Sequence, residues 1–140
     1  MALVDGRTGI EIIERHECLR LLGAEVVGRL GILEGGAPLI LPINYAMDGD
    51  HVVFRTAAGT KVDATNRQAC FEIDGHDDDH HTGWSVVVRG RLEEVTSFDE
   101  HIFDRLAALP QPWARGDKPH VLRLVPSSVR GRRVTGNEAG

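Results

Sequence analysis

Alternation of apolar and polar positions, more than helical spacing, dominates this chain. Residues 26–33 (VVGRLGIL), 38–47 (PLILPINYAM), 51–56 (HVVFRT), 69–74 (ACFEID), 84–96 (WSVVVRGRLEEVT) and 120–134 each read as strand, the last in one or two pieces broken near Pro126. Glu34-Gly35-Gly36-Ala37 and Asp48-Gly49-Asp50 lie between consecutive runs and predict hairpin turns, with glycine supplying the positive φ such turns require. Close succession of hairpins argues for antiparallel pairing. Helical spacing appears in fewer places. Residues 14–22 put Cys18, Leu19 and Leu22 on one face, with Gly23 predicted as the stop, and a short helix is predicted to begin near Thr60. Residues 97–109 carry the clearest helical pattern: Ser97 and Glu100 form a capping box, Phe98, Ile102, Phe103, Leu106 and Leu109 recur at helical spacing, and Pro110 ends it. The opening residues are mixed and predict no clear element.

Six short strands with two to three short helices at the corners predict a mainly β (α+β) fold, an antiparallel six-stranded split barrel with Greek-key connections. With 140 residues and no repeat or linker composition, residues 1–140 are read as one domain. A domain of that size buries roughly 68–70% of the surface its unfolded chain exposes, enough for a core without disulfides or metal. Two runs are apolar at consecutive positions, Leu39-Ile40-Leu41 with Ile43 and Val86-Val87-Val88. The outer wall of a lone barrel meets water and should alternate, so a second subunit is expected to cover these faces, the helix at 97–109 being the other candidate cover.

Charge narrows the partners. Lys and Arg number 16 against 21 Asp and Glu, a formal net charge of -5, which disfavours a nucleic-acid binder because that affinity is built from clustered cations. Arg130-Gly131-Arg132-Arg133 is the one basic run, and by itself reads as a solvated strand end. Cys18 and Cys70 each sit in an apolar stretch and read as small buried hydrophobes. Asp5, Arg7 and Glu11 interrupt the first residues, so neither a signal peptide nor a membrane span is expected and the protein is placed in the cytoplasm.

Candidate chemistry concentrates in Phe54-Arg55-Thr56-Ala57-Ala58-Gly59-Thr60-Lys61, which sets two cations and two hydroxyls around a strand-to-helix turn. Unpaired backbone N–H groups at a helix start, together with charge-assisted bonds from Arg55 and Lys61 and hydroxyls from Thr56 and Thr60, suit a phosphate. The bland reading makes Thr60 an N-cap and both cations ordinary surface residues. His76-Asp77-Asp78-Asp79-His80-His81 concentrates imidazoles and carboxylates, but adjacent side chains point apart, so a solvated loop is expected and no metal site. Trp113, bracketed by Pro110 and Pro112, reads as a surface anchor or a lid, and His16, His51, His101 and His120 are isolated.

Five segments in order resemble the pyridoxamine 5'-phosphate oxidase-like family of split-barrel flavin proteins: Gly28-Arg29-Leu30-Gly31, Leu41-Pro42-Ile43-Asn44-Tyr45-Ala46, the Phe54 to Lys61 segment, Gly83-Trp84-Ser85-Val86-Val87-Val88-Arg89-Gly90, and Gly131-Arg132-Arg133. The resemblance implies a homodimer with two FMN molecules in clefts at the subunit interface. It implies that Arg55, Thr56, Thr60 and Lys61 hold the FMN phosphate, and that Leu41, Pro42, Ile43 and Asn44 run along the isoalloxazine ring. Pro42, lacking an N–H, suggests an irregular ladder there, with backbone groups turned to the ring. Ser85 falls where the family presents a polar side chain to the flavin, and Arg132 where the other subunit approaches it. The implied function is a flavin-dependent oxidoreductase acting on a small molecule, with no side-chain nucleophile needed. The other readings are a non-catalytic protein that stores or senses flavin or binds haem, and a reductase using a deazaflavin. The namesake oxidase ends in an Arg and His segment that grips pyridoxamine phosphate, whereas this chain finishes Val134-Thr135-Gly136-Asn137-Glu138-Ala139-Gly140, so vitamin B6 is not the implied substrate.

Overall fold

The computed structural model describes residues 3–5, 9–57, 59–95 and 120–135. The helix expected at 97–109 and Trp113 lie outside the described residues. In chain order the elements are β1 (Leu3–Asp5), β2 (Ile10–Ile13), α1 (Arg15–Ala24), β3 (Val27–Glu34), β4 (Ala37–Asn44), β5 (Ala46–Asp48), β6 (His51–Thr56), α2 (Thr60–Asp63), β7 (Gln68–Asp77), β8 (Thr82–Glu94) and β9 (His120–Val134). Every strand pairing is antiparallel. The sheet runs β1-β2-β9-β8-β7-β3-β4, with β6 pairing β9 and β5 pairing β6.

The fold is the expected split barrel, with nine strands among the described residues where six were predicted. Two of the additions, β1 and β2, come from the opening residues, and the third arises because the segment 38–47 is two strands, parted at Tyr45. That parting shapes the molecule. β4 lies at one end of the sheet and β5 ends the branch that runs from β9 through β6, yet a single residue joins them, so the sheet must curl to bring them together. Tyr45 is buried, its ring meets Phe71 edge-on with centroids 4.7 Å apart, and its hydroxyl donates to the Leu22 carbonyl. That carbonyl belongs to the last turn of α1, where no intrahelical donor remains. Burial pushes the Tyr45 phenol above its usual range, so it stays a neutral donor. Tyr45→Phe keeps the ring and strands the carbonyl. We expect it to cost about 1–3 kcal/mol in equilibrium denaturation.

Two glycines set how closely β3 and β7 approach. A Cβ on Gly28 would lie 2.1 Å from the Phe71 ring, and one on Gly31 would lie 2.6 Å from the Cys70 sulfur. The tip of the ring therefore lies against bare backbone, and the core closes around it with Leu30, Phe54, Ile73, Val88, Leu122 and Leu124. Both hairpin turns form as expected, with Gly35 and Gly36 at φ 57° and 84° and Gly49 at 60°.

Two sequence expectations need correction, and one left open is decided. α1 passes through Gly23 and ends at Ala24, where Glu25 turns extended; nothing forced the helix to stop at a glycine that has open space around it. β9, expected in one or two pieces, is one strand. The irregularity near Pro126 is a bulge: Arg89 faces Ser128 and Gly90 faces Pro126, leaving Ser127 as the extra residue, its hydroxyl donating to the Arg89 carbonyl. Cys70 is exposed, while Cys18 is buried as expected, and burial raises its thiol pKa.

Candidate functional site

β6 delivers Arg55 and Thr56 to the start of α2, through Ala57 and through Gly59 at φ 139°, a conformation that side-chain-bearing residues rarely adopt. Lys61 follows, half-buried on α2. Strand, glycine turn and cation therefore share one corner, as the sequence implied. Two details differ. α2 is a single turn of four residues, so its dipole adds little to the attraction of the cations. The Thr56 hydroxyl, on a residue only 6% exposed, donates to the Ala57 carbonyl at 3.1 Å and would have to rotate to serve a ligand.

Leu41, Pro42, Ile43 and Asn44 lie on β4, and here the expected irregular ladder is absent: residues 37–44 pair with β3 in unbroken register, Pro42 facing Arg29. Pro42 is tolerated because β4 is an edge strand. Among the described residues no strand pairs with its outer edge, so backbone groups along that edge can still face a ligand. Ile43 points into the core, and Leu41 and Asn44 are half-buried.

Ser85 and Arg132 are cross-strand partners on β8 and β9. Along β9, Arg132 lies eleven residues from Val121, the residue that faces Arg55. At ~3.3 Å per residue that is on the order of 30 Å of strand, so one chain does not gather all ten candidate residues around one small molecule. Beside Ser85 a groove of about 660 Å³ runs past Trp84, whose indole lies over Gly75. Arg29 at its rim bonds both Glu72, at 2.7 Å, and Asp74. Its guanidinium holds the Asp74 carboxyl below the usual range, whereas burial is the main force raising that of Glu72.

The acidic, histidine-rich segment is hairpin chemistry. β7 extends to Asp77, whose side chain accepts from the Asp79 and His80 amides and meets the His80 ring at 2.8 Å, capping a turn in which His81 takes φ 49°. His76 and His80 are exposed, as expected of a solvated loop.

A model of the family described as pyridoxamine 5'-phosphate oxidase matches residues 14–133. The protein belongs to the pyridoxamine 5'-phosphate oxidase family. Among relatives, the uncharacterised protein Rv0080 of Mycobacterium tuberculosis is 31% identical over 129 residues, 87% of this chain and 84% of its own. The FAD binding protein of Mycobacterium smegmatis superposes with TM-score 0.73 at 34% identity, covering 88% of this chain and 97% of that one. A FAD-binding protein of Mesorhizobium loti does so with TM-score 0.70 at 26% identity, covering 89% and 97%. Among the described residues of this pyridoxamine 5'-phosphate oxidase family member, no helix is long and apolar enough to cross a membrane.

Sequence reasoning missed the partners of Arg132 within its own chain. Arg89, Arg130 and Ser128 share its face of the sheet. The signal was present as alternation, because residues 128, 130 and 132 project to one side of β9 and residues 85, 87 and 89 to the same side of β8.

Proposed function

We propose that this protein binds a flavin by its phosphate at the β6–α2 corner and, as a homodimer, uses it for electron transfer with a small molecule. The observation that carries this is the corner itself, where Arg55 at the end of β6 and Lys61 on α2 flank a glycine turn. That donor set suits a phosphate monoester, two cations being matched to a dianion. The FAD-binding relatives support a flavin. FMN is the smallest ligand that meets the corner, and FAD contains the same riboflavin phosphate unit.

A bound flavin would supply the redox chemistry, accepting and returning electrons as one or two equivalents. The chain's part is to hold and shield it. In this reading Arg55 and Lys61 anchor the phosphate, with Thr56 and Thr60 beside them, and Leu41, Pro42, Ile43 and Asn44 lie along the ring. A second copy brings its own Ser85 and Arg132 to the other side of the cleft. Exposed apolar residues support that second copy: Ile40 is 69% and Leu33 53% exposed, and with Pro38 they line a groove of about 390 Å³.

Titration tests the corner directly. Lys61→Ala is expected to weaken FMN binding about ten- to a hundredfold while leaving riboflavin, which has no phosphate, nearly unchanged. Equal losses for both ligands would remove the phosphate role. Light scattering at micromolar protein should give twice the chain mass. A flavin spectrum that bleaches with a nicotinamide donor and recovers with turnover favours the enzyme over a carrier.

A further inference from the structure

Five of the described arginines meet a carboxylate. Arg15 holds Asp50, Arg20 holds Glu17, Arg29 holds Glu72 and Asp74, Arg123 holds Glu93 and Arg133 holds Glu11. Arg89, Arg130 and Arg132 meet no described carboxylate, and unlike Arg67 and Arg91, which also lack one, they line a single groove. Among the described residues no Asp or Glu forms an ion pair with any of the three, although acidic residues outnumber basic ones by 21 to 16 in the chain.

The three are gathered in one place. Ser85 faces Arg132, Val87 faces Arg130 and Arg89 faces Ser128 across the β8–β9 ladder, so two short rows of outward side chains line one groove of about 310 Å³. Like charges crowded on adjacent strands repel, and among the described residues lining the groove no carboxylate offsets them. Arg132 and Arg133, neighbours in the chain, point to opposite faces: one enters this groove and the other binds Glu11.

We propose that this groove is a binding site for a phosphate-bearing small molecule, with Arg89, Arg130 and Arg132 as the anion clamp and Ser85 and Ser128 as hydroxyl donors. Three planar guanidinium forks match the many oxygens of a phosphate or diphosphate better than the two of a lone carboxylate. The patch is short and the chain acidic overall, which sets a polynucleotide aside. The groove is separate from the corner at Arg55. Ser128 lies seven residues along β9 from Val121, on the order of 20 Å of strand. The inference shares Ser85 and Arg132 with the flavin reading and goes beyond it through Arg89, Arg130 and Ser128, to which that reading gives no role. The phosphate has two possible sources, the second phosphate of a dinucleotide flavin or a separate phosphorylated ligand.

Calorimetric titration of the purified protein with inorganic pyrophosphate at low salt is the test. Measured in the Lys61→Ala protein, in which the corner's own anion affinity is reduced, saturable binding is expected, weakened about tenfold or more by adding Arg130→Gln or Arg89→Gln and partly retained with Arg89→Lys. Circular dichroism melting of each variant checks that the fold survives. Binding that is absent, or equally strong in the Gln variants, overturns the proposal. Parallel titrations with FAD and FMN separate the sources. A loss in Arg130→Gln confined to FAD assigns the groove to the dinucleotide, and no loss for either flavin, with pyrophosphate binding impaired, assigns it to a separate ligand. Failure of the groove leaves the effect of Lys61→Ala on FMN untouched, so the two readings fail independently.

Discussion

Phe71→Ala is expected to cost about 3–5 kcal/mol, the largest loss from any one core side chain, and to lower the melting temperature by on the order of 10 °C. The ring is fully buried, meets Tyr45 edge-on, and rests where a Gly28 side chain would otherwise be. The same geometry gives a sharper test. Gly28→Ala alone forces a methyl into the ring, an overpacking worth roughly 1–3 kcal/mol. In the Phe71→Ala background that methyl meets a cavity, and its cost should fall close to zero. A double-mutant cycle read by guanidinium denaturation measures the coupling. Strictly additive losses would mean that ring and glycine do not share this space.

Gly90→Ala is expected to be worse than an ordinary surface change, about 3 kcal/mol or more, and to reduce soluble yield. A Cβ there would lie 2.0 Å from the Val125 carbonyl oxygen and 2.9 Å from the Pro126 Cα, so backbone and not a flexible side chain must move. Relief would require β8 and β9 to part at the bulge. Gly23→Ala supplies the opposite sign. That glycine is helical and exposed, with nothing within 4 Å of a new Cβ, and alanine should add roughly 0.4–1 kcal/mol. Thermal melts of the two variants beside the parent decide both, and a Gly90→Ala protein as stable as the parent would contradict the close approach of the strands.

Where the sequence was legible, local chemistry and tertiary structure agreed. β6 spans the predicted 51–56 and α2 starts at Thr60, because a short alternating run, a turn glycine and a helix-starting threonine all point the same way. Both early hairpins were fixed by glycines that must take positive φ. The misses are tertiary in origin. Nothing in PLILPINYAM marks Tyr45 as a break, since the alternation continues through it; only the distant Leu22 carbonyl and the Phe71 ring settle where it goes. β1 and β2 are three and four residues long, and β2 finds its partner more than a hundred residues away on β9. Pro42 could mark an edge or a bulge, and sequence alone does not choose between them. The arginine groove was hidden by contiguity: Arg130-Gly131-Arg132-Arg133 reads as one basic run, although Gly131 faces Cys18 and the arginines divide between the two faces.

β9 pairs with β8 along most of its length, with β6 over residues 120–124 and with β2 over residues 131–134. Three strands made earlier on the ribosome therefore wait for one made later, and until it emerges each carries an open hydrogen-bonding edge. Non-local closure of this kind is slow, and the waiting edges are where a nascent chain would aggregate. Holdase chaperones should accordingly engage translation intermediates that lack residues 120–134 and release the chain once that segment is available.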